Sequence, residues 1–331
     1  MSVPMATQTP ADDLAANILA MIGDAQKRIY ALARETPVEL LSGEHRVPAT
    51  ARVYLKLEHL QKTGSFKLRG ATNKVMSLSH AEAAAGVVTS STGNHALGVA
   101  TAAKHRGIDA EVFVSTQVSG EKVRKIQECG ARIRVVGDNT LNAELVARQA
   151  ASDFGRIYIS PYNDPFVIAG QGTIGPELCR QVQRMDAVYI AAGGGGLLSG
   201  VGTYLRAMSP HTEMVGCWPE NSRILYESIR SGRLIDFPET YTLSESTAGG
   251  MEAGSITFPL ARKAMHRGIL VSEAEILEAM RWAHQRRWGI EGAAAVALAA
   301  YFKEASSSQE KTVVILLCGG NPSPEVRKHL Q

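Results

Sequence analysis

Cysteine is scarce in this sequence: Cys129, Cys179, Cys217 and Cys318 stand far apart, with no C-x-x-C pair. That spacing excludes a cysteine-built zinc site and a disulfide framework, and it predicts reduced thiols in a cytoplasmic protein. An excess of one charge is also missing. The 35 Lys and Arg residues against 32 Asp and Glu leave a net charge of +3, too small a bias for a nucleic-acid partner. No apolar run reaches the roughly 18 residues of a membrane-spanning helix. The opening MSVPMATQTPADD has neither the basic start nor the apolar core of a secretory signal. What remains is a chain of 331 residues, 45% hydrophobic, enough for a sizeable core. At about 150 residues per domain it predicts two domains in one unit.

Leu14, Ile18, Ile22, Ile29 and Leu32 recur on one face, so a helix is expected over about 12–34, with Asp12 or Asp13 capping its start. Val53, Leu55 and Leu57 alternate with Arg52, Tyr54 and Lys56, the pattern of a half-buried strand. Short apolar runs then alternate with helical segments. GVVTS (86–90) leads into a helix near Asn94, and AEVFVS (110–115) into a helix with Ser119 as its cap and Gly130 as its stop. RIRVV (132–136) precedes another capped helix, and AVYIAA (187–192), EMVGCW (213–218) and TVVILL (312–317) are further buried strands. The βα series cover about 86–159 and 186–330, joined by SPYNDPF (160–166). Unbroken apolar strands between helices predict an α/β fold of two lobes, each a mainly parallel sheet flanked by helices, with the site in the cleft between them.

Four segments carry chemistry. In TGSFKLRGA (63–71), Lys67 sits between Phe66 and Leu68, an apolar setting that lowers an amine's pKa and frees a nucleophile. Alone, it reads equally as a surface lysine on a helix's first turn. SSTGNHALG (90–98) gathers Ser91, Thr92, Asn94 and His95 at a strand-to-helix junction, where a helix start seats a carboxylate. Helix capping by Ser or Asn accounts for one of these, and His95 also reads as a structural histidine. Gly193, Gly194, Gly195 and Gly196, followed by Leu197, let backbone N–H groups converge on a phosphate. The dinucleotide fingerprint needs a third glycine where Leu198 or Ser199 stands, but Glu220 ends the next strand, so a nicotinamide enzyme stays open from this segment alone. In LLCGGNPSP (316–324), Cys318 ends a buried strand, either facing the cleft or filling the core.

Taken together, S-F-K-x-R-G-A, S-x-G-N-H and G-G-G-G-L in this order resemble the fold-type II pyridoxal-phosphate enzymes, whose architecture is that of the tryptophan synthase β subunit. More narrowly, the chain is similar to the threonine/serine dehydratase and serine racemase group, from Thr36-Pro37 to Asn321. The resemblance implies pyridoxal 5'-phosphate as cofactor, with Lys67 forming the Schiff base and Phe66 flanking the ring. It implies that Asn94 bonds the 3-oxygen, that Gly193 to Gly196 with Leu197 hold the phosphate, and that Glu291 lies beside the ring. Cys318 would meet the pyridine nitrogen, while Ser91, Thr92, Asn94 and His95 would bind the substrate carboxylate. The implied lobes are 1–76 plus 160–331 for the cofactor and 77–159 for the substrate carboxylate, in a homodimer or homotetramer.

A thiol at the ring nitrogen leaves it largely neutral, which favours elimination of a β-hydroxyl over transamination. The expected activity is therefore dehydration of threonine or serine to a 2-oxo acid and ammonia. A larger β-hydroxy amino acid (phenylserine, hydroxyaspartate or a hydroxyectoine-derived one) and racemisation through the Thr92 hydroxyl are the alternatives. Nicotinamide chemistry would leave Lys67 and the Asn94 loop unexplained. Many relatives bind a divalent cation after the strand matching EMVGCW. Here Trp218 and Ile224 occupy the acidic positions and Arg223 offers a fixed cation, so no metal is expected. The chain ends soon after the cofactor strand, so degradation of a hydroxy amino acid is expected rather than feedback-regulated biosynthesis.

Overall fold

The computed structural model describes residues 9–41, 44, 46–116, 118 and 120–330. Ala110–Val114 and Ala187–Ala191 are buried at every position, which requires helices on both faces of each strand. Among the described residues ten strands form two sheets. The strands are β1 (Val38–Leu41), β2 (Arg52–Lys56), β3 (Val87–Ser90), β4 (Ala110–Val114) and β5 (Arg132–Val135). They continue with β6 (Ile157–Tyr158), β7 (Ala187–Ala191), β8 (Glu213–Pro219), β9 (Arg267–Val271) and β10 (Thr312–Leu316). The smaller sheet has the order β5-β4-β3-β6 and is parallel throughout. The larger has the order β1-β2-β10-β7-β8-β9, parallel except for β1, which lies antiparallel to β2. No helix among the described residues is long and apolar enough to cross a membrane.

The first helix runs from Pro10 to Ile29, and its cap is Thr9 rather than Asp12 or Asp13. The Thr9 hydroxyl accepts the Asp12 N–H at 3.3 Å, and the Asp12 carboxylate takes the Thr9 N–H at 2.9 Å. Asp12 therefore closes a reciprocal capping box from inside the first turn. The chain leaves the helix after Ile29, although Leu32 beyond it remains buried. The expected cap at Ser119 lies outside the described residues, whereas Gly130 ends its helix at φ +99°.

Alternation places Lys56 on a solvated face, where Arg52 is indeed exposed, but the end of β2 that carries Lys56 is covered and its side chain is fully buried. Its ammonium donates to Glu177 at 2.6 Å, to the Thr36 carbonyl at 2.7 Å and to Gln181 at 2.8 Å. Arg69 lies beside it, two residues past Lys67. Its guanidinium forks onto Glu58 at 2.7 and 2.8 Å, and onto Glu177 at 2.6 and 2.8 Å. Tyr30 adds a 2.7 Å bond to Glu177, and Thr36 bonds Glu58. Burial alone would raise the Glu177 pKa, but Arg69 and then Lys56 outweigh it and hold the carboxylate below its ordinary range. Burial lowers the Lys56 ammonium pKa and pushes the Tyr30 phenol up to about 12. Two cations and two anions thus share one dry site that ties β2, the Lys67–Ser77 helix and the Ile174–Gln181 helix together.

The Pro165–Gly172 helix lies between the Lys67–Ser77 helix and the Gly196–Met208 helix. Backbones touch on both sides: a Cβ on Gly170 would sit 2.6 Å from Gly70 Cα, and one on Gly200 would sit 2.7 Å from the Gly172 nitrogen.

Replacing Arg69 by Met keeps the bulk but strands two buried carboxylates. Stability should fall by about 3–5 kcal/mol in urea titration, and a loss below about 1 kcal/mol would show that the cluster carries little. Glu177 has a depressed folded-state pKa. Its contribution is therefore present above the unfolded value of about 4.3 and is lost as pH falls below it.

Candidate active site

Strand ends deliver the functional groups. β10 runs through Leu317 into Cys318 and Gly319, and the loop before Lys67 folds against it. The Phe66 N–H donates to the Cys318 carbonyl at 3.0 Å, Ser65 bridges to Gly319, and the Gly320 N–H donates to Gly64 at 2.8 Å. Lys67 then opens its helix with no side-chain cap. Its ammonium donates to the Pro161 carbonyl at 2.7 Å and lies 5.3 Å from the centre of the Phe66 ring. Desolvation lowers its pKa to about 8, against weaker opposing attraction from Cys318 and Glu291. The Cys318 thiol is 3% exposed, and burial, followed by the Glu291 charge, pushes its pKa well up, so it stays protonated.

After β3, the loop Ser91–Gly93 enters the Asn94–Arg106 helix. Capping explains none of its polar side chains, contrary to expectation: the cap position is Gly93, with no side-chain bond. The Ser91 hydroxyl accepts the Gly93 N–H instead, at 3.2 Å. Among the described residues the N–H groups of Asn94, His95 and Ala96 have no partner, so the helix start remains free for an anion. Thr92 stands half-buried beside them. The His95 ring is buried with Nε2 3.0 Å from the Ile159 carbonyl, and desolvation lowers its pKa to about 3. It offers the loop a backbone N–H rather than a cationic ring.

The Asn94 amide turns instead toward the larger sheet. Its Nδ2 donates to both Glu291 oxygens at 2.9 Å, and its Oδ1 accepts from Asn321 Nδ2 at 2.7 Å. The Asn321 N–H donates to the same carboxylate at 3.0 Å. Asn321 carries no sequence signal beyond its place after Cys-Gly-Gly, yet it orients Asn94.

Gly193 to Gly196 follow β7, and Gly195 adopts φ +85° immediately before the Gly196–Met208 helix. Gly194 lies on the Tyr162 ring, where a Cβ would come within 2.6 Å of Cδ1. Among the described residues the five N–H groups from Gly193 to Leu197 have no protein partner. Residues 160–163 therefore join two places that are separate in the sequence: Pro161 holds the Lys67 amine and Tyr162 walls the glycine loop.

Near the end of β8, Trp218 is buried against Tyr226; beyond the strand Ile224 is buried at a helix start, and Arg223 donates to the Glu220 carbonyl at 2.6 Å and to Glu227 at 3.0 Å. Among the described residues no group of three or more His, Cys, Asp or Glu gathers as a metal site.

The donor set fits pyridoxal phosphate. A desolvated amine suits its aldehyde, five successive unpartnered N–H groups suit its phosphate, an oriented amide suits its 3-oxygen, and a protonated thiol suits its ring nitrogen. The buried Ser65 hydroxyl also lacks a partner.

Comparison with known proteins agrees. The family described as "Pyridoxal-phosphate dependent enzyme" matches residues 29–319. The chain is 36% identical over 301 residues to the L-threonine ammonia-lyase of Thermotoga maritima, covering 91% of this chain and 74% of that protein. It is 35% identical to the serine racemase of Arabidopsis thaliana, covering 93% of each. The structure of the processed form of threonine deaminase isoform 2 from Solanum lycopersicum superposes with a TM-score of 0.89 at 29% identity, over 100% of this chain and 96% of that one.

Apoprotein should take up added pyridoxal phosphate at a rate that rises with pH through a midpoint of about 8, because only the neutral amine attacks an aldehyde. Stopped-flow absorbance reads this directly. A midpoint near the ordinary lysine value of about 10.4 would mean that the cleft leaves the amine hydrated.

Proposed function

Because the chain belongs to the pyridoxal-phosphate dependent enzyme family, we propose that it is a dehydratase that removes the β-hydroxyl and the amine from a β-hydroxy α-amino acid, giving a 2-oxo acid and ammonia. The observation that carries this reading is the neutral thiol: Cys318 is buried, with its pKa raised by desolvation. When bound, the cofactor supplies an electron sink for the bond broken at the substrate's α-carbon. Cys318 donates too weakly to hold a full positive charge on the ring nitrogen, which favours prompt loss of the β-substituent. Lys67, steered by the Pro161 carbonyl, would take the α-proton. The unpartnered N–H groups at the Asn94–Arg106 helix start, with the Ser91 and Thr92 hydroxyls, bind the substrate carboxylate. Asn94, its Oδ1 anchored by Asn321, would exchange one of its two Glu291 bonds to offer an N–H to the 3-oxygen. Gly193 to Gly196 and Leu197 bind the phosphate.

Residues 1–76 with 160–331 make the cofactor lobe, and 77–159 the carboxylate lobe. The chain acts in the cytoplasm as a homodimer or homotetramer without a metal. Arg223 supports the last point, since its guanidinium already takes the Glu220 carbonyl. Racemisation is the second reading. It is favoured by the equally similar Arabidopsis thaliana serine racemase and by the half-buried Thr92 hydroxyl at the helix start. The 244–255 loop borders the site at Ser246, 3.4 Å from Asn94, so it faces the substrate side chain, where phenylserine, hydroxyaspartate or a hydroxyectoine-derived amino acid would extend.

Holoenzyme offered L-threonine, L-serine, phenylserine, hydroxyaspartate and a hydroxyectoine-derived amino acid should release a 2-oxo acid from at least one, measured by coupled reduction. Chiral chromatography should find under about a tenth as much inverted amino acid. Inversion without 2-oxo acid would replace the dehydratase by the racemase, in which case Thr92→Val should cut inversion by about 10²-fold or more. Inertness toward the whole panel would end both readings.

A further inference from the structure

A polar cluster where the chain returns from the smaller sheet is used by none of the roles above. Residues 159–164 leave β6 and enter the Pro165–Gly172 helix. Ser160 Oγ donates to Glu252 Oε1 at 2.9 Å, and Asn163 Nδ2 donates to Glu252 Oε2 at 2.8 Å. In the other direction the Glu252 N–H donates to the Tyr162 hydroxyl at 2.8 Å, and the Ile256 N–H donates to Asn163 Oδ1 at 2.9 Å. From the helix Thr140–Asp153, Arg148 reaches the same carboxylate at 2.8 Å while lying 4.2 Å above the Tyr158 ring. Glu252 therefore ties its own loop to two others at once: the return segment and a helix of the smaller lobe.

We propose that Glu252 is a positioning residue that sets where the Lys67 amine is held, by riveting the 244–255 loop and Arg148 onto residues 160–163. Pro161 sits between Ser160 and Tyr162, both bonded to Glu252, and its carbonyl is the amine's partner. Tyr162 in turn backs Gly194. A carboxylate accepts from Ser160, Asn163 and Arg148 together. A glutamine has one acceptor oxygen, and its NH2 must face either the Asn163 NH2 or the Arg148 guanidinium, neither of which accepts. Loosening this knot lets the Pro161 carbonyl drift and the loop swing away from Asn94, and misplacement by about 1 Å costs on the order of 10²-fold in rate. The cluster is half-buried and polar, so its loss leaves the apolar core intact. The inference rests on the reading of Lys67 as the working amine.

Hydrogen exchange and kinetics of the E252Q, R148M and double-variant holoenzymes test it. E252Q should speed amide exchange of residues 158–164 and 244–256 by about tenfold in the absence of substrate. It should also lower kcat about tenfold or more with KM within about threefold, and move the thermal midpoint by only about 3 °C. R148M should have a smaller effect, and the double variant should match E252Q, because Arg148 acts through Glu252. Wild-type exchange in both segments, exchange quickened evenly along the chain, or fully additive effects would each overturn the proposal. The exchange arm needs no substrate. If the wild-type enzyme proves inert toward every β-hydroxy amino acid, the functional reading fails while exchange still decides this one.

Discussion

The site depends on a charge cluster that never touches it. Arg69 forks onto Glu58 and Glu177, and Lys56 completes the neutrality, all with no solvent contact. Dry charges are tolerated only when their geometry leaves no charge uncompensated, so the four side chains have essentially one way to sit. Because Arg69 is two residues beyond Lys67, that single arrangement also fixes the first turn of the helix bearing the amine. Specificity of position, rather than net stability, is what such a cluster supplies best.

From that fixed point the cleft is assembled by contacts between lobes. Asn94 comes from the smaller sheet, Glu291 and Asn321 from the larger, and their hydrogen bonds close the two over one another. Low dielectric around Lys67, His95 and Cys318 pushes each toward its neutral form. The site thus holds an amine, an imidazole and a thiol that all shed charge, together with backbone N–H groups reserved for anions. That division of labour suits a zwitterionic substrate and a phosphorylated cofactor.

Much of this is legible in the residues. The apolar runs at 187–192 and 312–317 form central strands, because a run with no polar side fits only where both faces of a sheet are covered; 110–115 joins them with Glu111 buried in ion pairs to Arg134 and Arg156. Cys318 and the four glycines follow strand ends, where an open α/β sheet places ligands, and Lys67 opens a helix whose preceding loop folds against the end of β10. Misreadings have physical causes. Alternation assigns Lys56 to solvent because it assumes one face wet along its whole length, whereas that face dries from exposed Arg52 through half-buried Tyr54 to buried Lys56. Thr9 escapes notice because the Asp of a capping box looks like an ordinary first-turn acid until the reciprocal bond is visible. Asn321, Tyr162 and Glu252 have no local pattern. Their roles arise from partners up to 258 positions away, and pairing at such separation leaves no mark on periodicity. Arg69 lies inside a recognisable motif, yet only its neighbours in space give it a task.

The bare backbone contacts on either side of the Pro165–Gly172 helix have a further consequence. With Gly70 against Gly170 and Gly172 against Gly200, the span from amine to phosphate loop is a stack of three helical cylinders without side-chain spacers. Such a ruler has no adjustable marks: any added methyl lengthens it. Descendants of this chain are thus free to explore new substrates through the outer loops, while the gauge that seats the vitamin-derived ring stays frozen.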